Sequence, residues 1–415
     1  MRRLLSILCA LVTVSAAAAP APVHVVTDNN ASCDVGNYAA ATLLLPYFEV
    51  EYQAQSSKAV NTVFTVINTS KLPQIVRVTV WTDLAFPALW FNMFMSGFDV
   101  QTVSMFELIA RGNVPVTYSG LTPGVASAEN SANPNLLEDN GCDRSGGTMP
   151  IAIMERLQRI LTTGQRDSEC RVGLQHKNAS GYVTIDVVNS CSRTSPMDPA
   201  FWNDVILYDN VLAGDYERIN PNPATGNYAG GTPLVHIRAV PEGGPAGSLA
   251  RVPMPYTFYD RYTPAGDKKT DRRQPLPAQF AARFIEGGPT GFQTNLMIWR
   301  EGITGATSDE CAYAKNEKLP MRGLVRFDEH ENATTAANSL TFPPTSATPS
   351  NAATFPPMSG NDLGGWFWLS LDNAGRPRPS QNWISVQMYA EGRYAVDFDA
   401  TWLANGCTMA TPAAP

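Results

Sequence analysis

The sequence is short of the residues that most enzyme chemistry requires. It has four histidines, His24, His176, His236 and His330. None falls in a His-Glu-x-x-His pattern that would set two imidazoles on one helix face. No Gly-x-Ser-x-Gly turn offers a strained nucleophile, and no Gly-x-Gly-x-x-Gly or Walker loop cradles a phosphate. Charged residues make up only 16%, against about 25% in ordinary soluble domains. A formal net charge of −7 argues against a nucleic-acid partner and against electrostatic attachment to anionic lipid. After the first residues, no apolar run reaches the length of about 18 that spans a bilayer, so no transmembrane segment is expected. No cofactor is implied.

The N-terminus carries the pattern of an export signal. Met1-Arg2-Arg3 is a positive start, residues 4–14 are apolar, and Ser15 to Ala19 are small, which places a cleavage site after Ala18. Residues 1–18 are therefore expected to be a signal peptide, and the mature chain to be secreted to the periplasm, cell surface or medium. Cys9 lies inside the signal. The remaining cysteines are Cys33, Cys142, Cys170, Cys191, Cys311 and Cys407. An even set without Cys-x-x-Cys in an exported chain reads as a disulfide framework. Cys170 with Cys191 and Cys311 with Cys407 are the pairings expected if each bond stays within one half of the chain.

Strand signals dominate what is present. Residues 61–68 and 74–83 are rich in β-branched and aromatic residues around a polar turn at 69–73, an expected antiparallel pair. Residues 86–95 are apolar at both parities and read as a core strand. Residues 383–399 read as a hairpin turning at Glu391-Gly392. Helical spacing occurs once, at 148–164. There Ile153, Met154, Leu157, Ile160 and Leu161 share a face, and Thr148 and Gly164 are placed as caps. That helix is expected to cover a sheet.

Two segments repeat. Gly181-Tyr-Val-Thr-Ile-Asp-Val-Val-Asn189 and Gly365-Trp-Phe-Trp-Leu-Ser-Leu-Asp-Asn373 align without gaps. Val183, Ile185 and Val187 match Phe367, Leu369 and Leu371 at period two, a buried face. Each half also has an earlier strand pair ending in an aromatic and an acid, Trp81-Thr-Asp83 and Phe327-Asp328-Glu329. The expectation is a mainly β protein of two β-sandwich halves, Ig-like or jelly-roll-like, from an internal duplication, with one short covering helix. The halves would span residues 22–265 and 266–410, divided at the polar stretch 266–275. Residues 112–145 and 332–365 read as long loops.

The segments Thr42-Leu-Leu-Leu-Pro-Tyr-Phe48, Asn210-Val-Leu-Ala-Gly-Asp-Tyr216, Leu234-Val-His-Ile237 and Glu391-Gly-Arg-Tyr-Ala-Val-Asp-Phe-Asp-Ala400 resemble a group of uncharacterised secreted bacterial β-rich proteins. That resemblance implies the compartment and the β class, and brings no chemistry with it.

Few clusters suggest a site. Asp328, His330 and Glu331 form the one acidic group around a histidine, a weak divalent-metal candidate, better explained as a solvated strand end. Asp139 to Asp143 has a faint look of a calcium loop, but Gly141 stands where a ligand is required. Trp366 and Trp368 share one face of their strand and offer rings for stacking on a sugar or a partner surface. The favoured expectation is that other parts of the chain, among them the long loop before this strand, cover that face and that both tryptophans mainly stabilise the fold. These observations point to a secreted, non-catalytic protein acting through its surface, by assembly or by binding a protein or polysaccharide at the cell surface. The alternatives are a carbohydrate-binding module using Trp366 and Trp368, and a hydrolase whose carboxylates, among them Asp83, Asp328 and Glu331, converge only in the fold.

Overall fold

The computed structural model describes residues 38–115, 147–190, 192, 194–221, 227–239, 273, 276–288, 291–300, 311, 319–320, 323–335, 341–342, 345–349, 364–371, 381–390 and 394–403. The described chain is mainly β. The first half contributes β1 (Thr42–Val50), β2 (Asn61–Asn68), β3 (Gln74–Trp81), β4 (Pro87–Met95), β5 (Val100–Ser104), β6 (Ala179–Val188), β7 (Leu212–Asn220), β8 (Asn227–Pro233) and β9 (Val235–Ile237). The second contributes β10 (Gln279–Ile285), β11 (Phe292–Arg300), β12 (Leu319–Pro320), β13 (Gly323–Asp328), β14 (Ala333–Thr335), β15 (Thr341–Phe342), β16 (Thr345–Pro349), β17 (Gly364–Ser370), β18 (Asn382–Ala390), β19 (Tyr394–Asp399) and β20 (Thr401–Trp402).

These strands form two sandwich-like pairs of antiparallel sheets, with β12 and β15 as a separate ribbon. In the first half, sheet A has the order β4-β3-β6-β1-β9 and sheet B the order β5-β2-β7-β8. In the second, sheet C runs β14-β13-β17-β10-β20 and sheet D runs β16-β11-β18-β19. Leaving out the ribbon, the second pair repeats the first strand for strand. The registers repeat too. The last residue of β2, Asn68, faces the first of β7, Leu212, and Arg300 of β11 faces Asn382 of β18 in the same way. Val100 of β5 faces Ile67, as Thr345 of β16 faces Trp299. The two glycine-led strands hold the same central place, with Trp81 opposite Tyr182 and Phe327 opposite Trp366.

The aligned strands bury what the alternation predicts: Val183, Ile185, Val187, Phe367, Leu369 and Leu371 are all core residues. The leading glycines have a steric reason. A β-carbon on Gly181 would lie 2.0 Å from the Trp81 carbonyl oxygen, and one on Gly365 the same distance from that of Phe327. Gly181→Ala and Gly365→Ala must each push a neighbouring strand aside, and each is expected to cost about 1–3 kcal/mol or more. Urea unfolding checks this; a variant that unfolds at the parent midpoint contradicts it.

One hydrophobic core lies between sheets A and B, with Leu43, Leu45, Phe64, Val66, Val78, Phe91 and Ile185 in it. Helix α1 (Met105–Ala110) and helix α2 (Ile151–Thr163) add Leu108, Ile109, Leu157 and Ile160 to this core. The other core joins sheets C and D to the far face of sheet A, through Phe280, Leu296, Ile298, Phe367 and Ile384 on one side and Leu44, Trp81 and Tyr182 on the other. Strands β1 and β6 approach β11, β16 and β18 directly. Sheet D therefore lies against the far face of sheet A, and its β18–β19 edge also meets the β7–β8 edge of sheet B directly. Sheet A is covered on both faces, which is why every residue of β6 is buried and why its sequence is apolar on one face and mixed on the other.

Several expectations need correcting. Residues 61–68 and 74–81 do not pair: β2 bonds to β5 and β7 in sheet B, and β3 to β4 and β6 in sheet A. The turn between them crosses from one sheet to the other, tied by Asn68 Nδ2 donating to the Leu72 and Ser96 carbonyls. Two helices cover the first sandwich, not one, because Ser104 caps a short α1 by accepting from the Glu107 amide. Helix α2 starts after Pro150 with no side-chain cap, so Thr148 has no such role, while Gly164 ends it with φ of 69°. Residues 332–365 are not all loop, since β14, β15 and β16 lie there. The turn at 391–392 and most of residues 112–145 lie outside the described residues.

The disulfide pairing is also different. Cys170 bonds to Cys311, 141 residues away, with a Cα separation of 5.3 Å, so neither Cys170–Cys191 nor Cys311–Cys407 forms. Sequence distance was the wrong guide because the halves are stacked, and a covalent link across 141 residues restricts the unfolded chain more than a local one. Cys33, Cys142, Cys191 and Cys407 lie outside the described residues.

Candidate functional site

The polar side chains concentrate at the seam between the halves. On the face of sheet A turned toward sheet D, Arg77, Asp186 and Thr42 lie side by side on neighbouring strands. Thr42 donates its hydroxyl to Asp186 at 2.6 Å and accepts from Arg273 Nε at 2.6 Å. The Arg273 guanidinium also stands 3.7 Å from Asp186. Arg77 donates to Asn92 at 2.6 Å and to the Ser192 and Thr194 carbonyls. Burial pulls the Arg77 guanidinium down to about 10, with Asp186 opposing the shift.

Further along the seam, β7 meets β19. Arg218 grips Asp397 through Nη2 at 2.6 Å and Nε at 2.9 Å. Burial lowers Arg218 most strongly of any single influence, but the Asp397 charge, the Tyr216 and Tyr47 hydroxyls and the Asp397 hydrogen bonds together outweigh it and hold the guanidinium above its ordinary range. Tyr216 donates to Ser385 Oγ at 3.1 Å, Ser385 donates to Asp399 at 2.8 Å, and Trp383 Nε1 donates to the same oxygen at 3.0 Å. Burial raises the Tyr216 hydroxyl. It also raises Asp399 from 3.8 to about 6; the Trp383 and Ser385 hydrogen bonds oppose this, and the charge of Asp397 adds to it. A cleft of about 250 Å³ opens beside this network, lined by Glu49, Arg218, Asn295, Gln387 and Tyr389 among others.

Asp399 gives the seam a pH dependence. Its proton is held more tightly in the folded chain than in the unfolded one. Stability from this group is therefore fully present below about pH 4 and lost as pH rises through about 6. Asp399→Asn keeps an oxygen for Trp383 and Ser385 and removes the titration. Relative to the parent, it should gain stability between pH 4 and 7, by on the order of 3 kcal/mol. Denaturant unfolding at four pH values measures this, and parallel curves for parent and variant would contradict it.

The carboxylates proposed from sequence are scattered. Asp83 is buried and accepts from His176 Nε2 at 2.9 Å and from the Leu174 amide at 3.0 Å. It ties the loop after α2 to the end of β3. Asp328, His330 and Glu331 sit in a turn instead. Asp328 Oδ1 accepts from the His330 and Asn332 amides, both at 2.8 Å, and Glu331 takes a φ of 64°. Among the described residues no group of three or more metal-ligating side chains converges. His236 is bonded to the Tyr38 carbonyl and the Gly214 backbone, a strand histidine held in place. Asp139 to Asp143 lies outside the described residues.

The outer face of sheet C is different in kind. Trp366 stacks flat on Phe327 of β13, with ring centroids 3.8 Å apart and planes 10° from parallel. Arg283 of β10 faces Trp366 from the other side, and Val325, Trp368 and Ala281 form the next row. Trp366 is 37% exposed, Trp368 is half-buried and Arg283 is exposed, so the expected cover over this face is incomplete at Trp366. The equivalent stack in the first half is Trp81 on Tyr182, at 5.8 Å and 6°. It is fully buried, and Tyr182 meets Trp299 of sheet D edge-on at 5.7 Å. Phe327 was noted from sequence only as part of the repeated aromatic–acid ending, and Arg283 was not singled out. The pairing of Phe327 with Trp366 is visible only in the strand register, where it matches the pairing of Trp81 with Tyr182.

No family profile matches the chain, and no curated protein does. Among solved structures, the CupB6 tip adhesin from Pseudomonas aeruginosa aligns at 7% identity over 88% of this chain and 98% of that one, with a TM-score of 0.09. A likeness of that size carries no argument about fold or function. Among the described residues no helix is long and apolar enough to cross a membrane.

Proposed function

We propose that this is an exported, non-catalytic protein acting through its surface, and that the outer face of sheet C is the working surface. One observation carries this reading: the aromatic stack that sheet D covers in the first half is left partly open in the second, beside the exposed Arg283. The buried acids support it, since Asp83, Asp186, Asp397 and Asp399 are each engaged in a bond that holds elements together. Export is supported by the N-terminal pattern and by the Cys170–Cys311 disulfide, a bond that persists in oxidising compartments. The repeated strand order supports descent of the halves from one duplicated unit.

A second reading, a carbohydrate-binding module, rests on the same exposed Trp366 ring, because flat aromatic faces suit pyranose rings. In that case Trp366→Ala would abolish retention on a polysaccharide that holds the parent. The first reading is tested by placing a photo-crosslinking phenylalanine at Trp366 in the full chain and irradiating cells that produce it. Covalent adducts from an exported fraction are expected. Unmodified protein alone, or protein confined to the cytosol, would overturn the proposal.

A further inference from the structure

We infer that the occupant of the outer face of sheet C is the outer face of sheet B of a second copy, so that copies join head to tail. This rests on the surface-acting reading above and supplies its partner. The warrant is the contact already made once inside the chain. Sheets A and C share strand order, as do sheets B and D, and B and D also share register. Within one chain, the outer face of A packs on the outer face of D. The corresponding pair not yet joined is the outer face of C with the outer face of B.

The residues match position by position. Trp366 stands where Tyr182 stands, and Ile67 stands where Trp299 stands, as the penultimate residue of its strand. The Tyr182–Trp299 contact therefore predicts Trp366 of one copy against Ile67 of the next. Around Ile67 the outer face of B presents Ala213 and Val100 in the same row, Val100 being 55% exposed. Two positions along β7 from Ala213 stands the exposed Asp215, then Glu217. Arg283 beside Trp366 supplies the opposite charge. The two faces are unlike, so the head-to-tail contact is heterologous and propagates into a ring or a filament.

Sedimentation velocity over a concentration series tests this. The parent should form a ladder of oligomers. Trp366→Glu and Ile67→Glu should each be monomeric at concentrations where the parent is not, with the dissociation constant raised about tenfold or more. An equimolar mixture of the two should regain dimers and nothing longer, because each variant keeps the face the other lost. Circular dichroism melts confirm that both fold. If either does not, the charge pair replaces them: Arg283→Glu and Asp215→Lys each weaken assembly, and the double variant restores it. A parent that stays monomeric throughout overturns the inference, as does an Ile67→Glu protein that associates like the parent. The crosslinker at Trp366 separates the two levels. Adducts to Ile67 or its neighbours in a second copy support both readings. Adducts to another protein or a glycan overturn this inference alone, and no adduct of any kind overturns both.

Discussion

Arg218→Met is expected to lower the unfolding free energy by about 3–5 kcal/mol. The guanidinium belongs to the first half and the carboxylate of Asp397 to the second, and their side chains are 12% and 1% exposed. Two charge-assisted bonds, at 2.6 and 2.9 Å, replace the water both groups gave up. Coulombic gain in such a site roughly offsets desolvation, so the intact pair adds little net stability. Removing one partner is another matter. Asp397 would remain buried and charged, with the acidic Asp399 beside it and its counter-ion gone. The double variant Arg218→Met with Asp397→Leu should therefore recover most of the loss. Equilibrium denaturation of the parent, both single variants and the double forms the cycle. A single variant within about 0.5 kcal/mol of the parent would mean that water reaches the pair and screens it.

Much of the architecture was legible because alternation is a local property. Val183, Ile185 and Val187 fix their face by period two alone, and the matching Phe367, Leu369 and Leu371 did the same 184 positions later. The glycines at the head of each segment were visible as identities, but their cause was not: the approach of the Trp81 and Phe327 carbonyls is a contact between strands. Pairing failed where the chain changes sheets. A polar turn at residues 69–73 has the same composition whether it closes a hairpin or crosses a sandwich, and only the core decides between them. The Cys170–Cys311 bond was missed for the same reason, since nothing local marks the stacking of the two halves.

The seam itself was almost invisible in sequence. Arg218 and Asp397 are 179 residues apart, and Arg273 lies in the polar stretch that composition alone marks as a boundary. That reading was right about polarity and silent about burial, for Arg273 is 1% exposed. The tryptophans were legible as a pair on one face. Their difference in exposure depends on what stacks over sheet C, and strand periodicity contains no information about the next layer.

Asp186→Ala is expected to cost a similar amount, about 3–5 kcal/mol, and for a related reason. The carboxylate is inaccessible to solvent and stands between Arg77, which is equally inaccessible, and Arg273. Losing it leaves two buried guanidinium groups without the acid between them and frees the Thr42 hydroxyl from its acceptor. Asp186→Asn separates charge from hydrogen bonding: it keeps an oxygen for Thr42 while removing the negative charge. If the charge dominates, Asn should lose nearly as much as Ala; if the hydrogen bond dominates, Asn should recover most of it. The charge is expected to dominate, because two cations share one anion here. In the gapless alignment the equivalent of Asp186 is Ser370, also fully buried, so the second sandwich needs no acid at this point. The acid thus serves the seam and not the sandwich. Adding Arg77→Met to Asp186→Ala should return part of the stability, measured by urea unfolding at pH 7. A double variant no more stable than Asp186→Ala would show that Arg77 is held by Asn92 and the Ser192 and Thr194 carbonyls alone, and would sink the electrostatic account of this row.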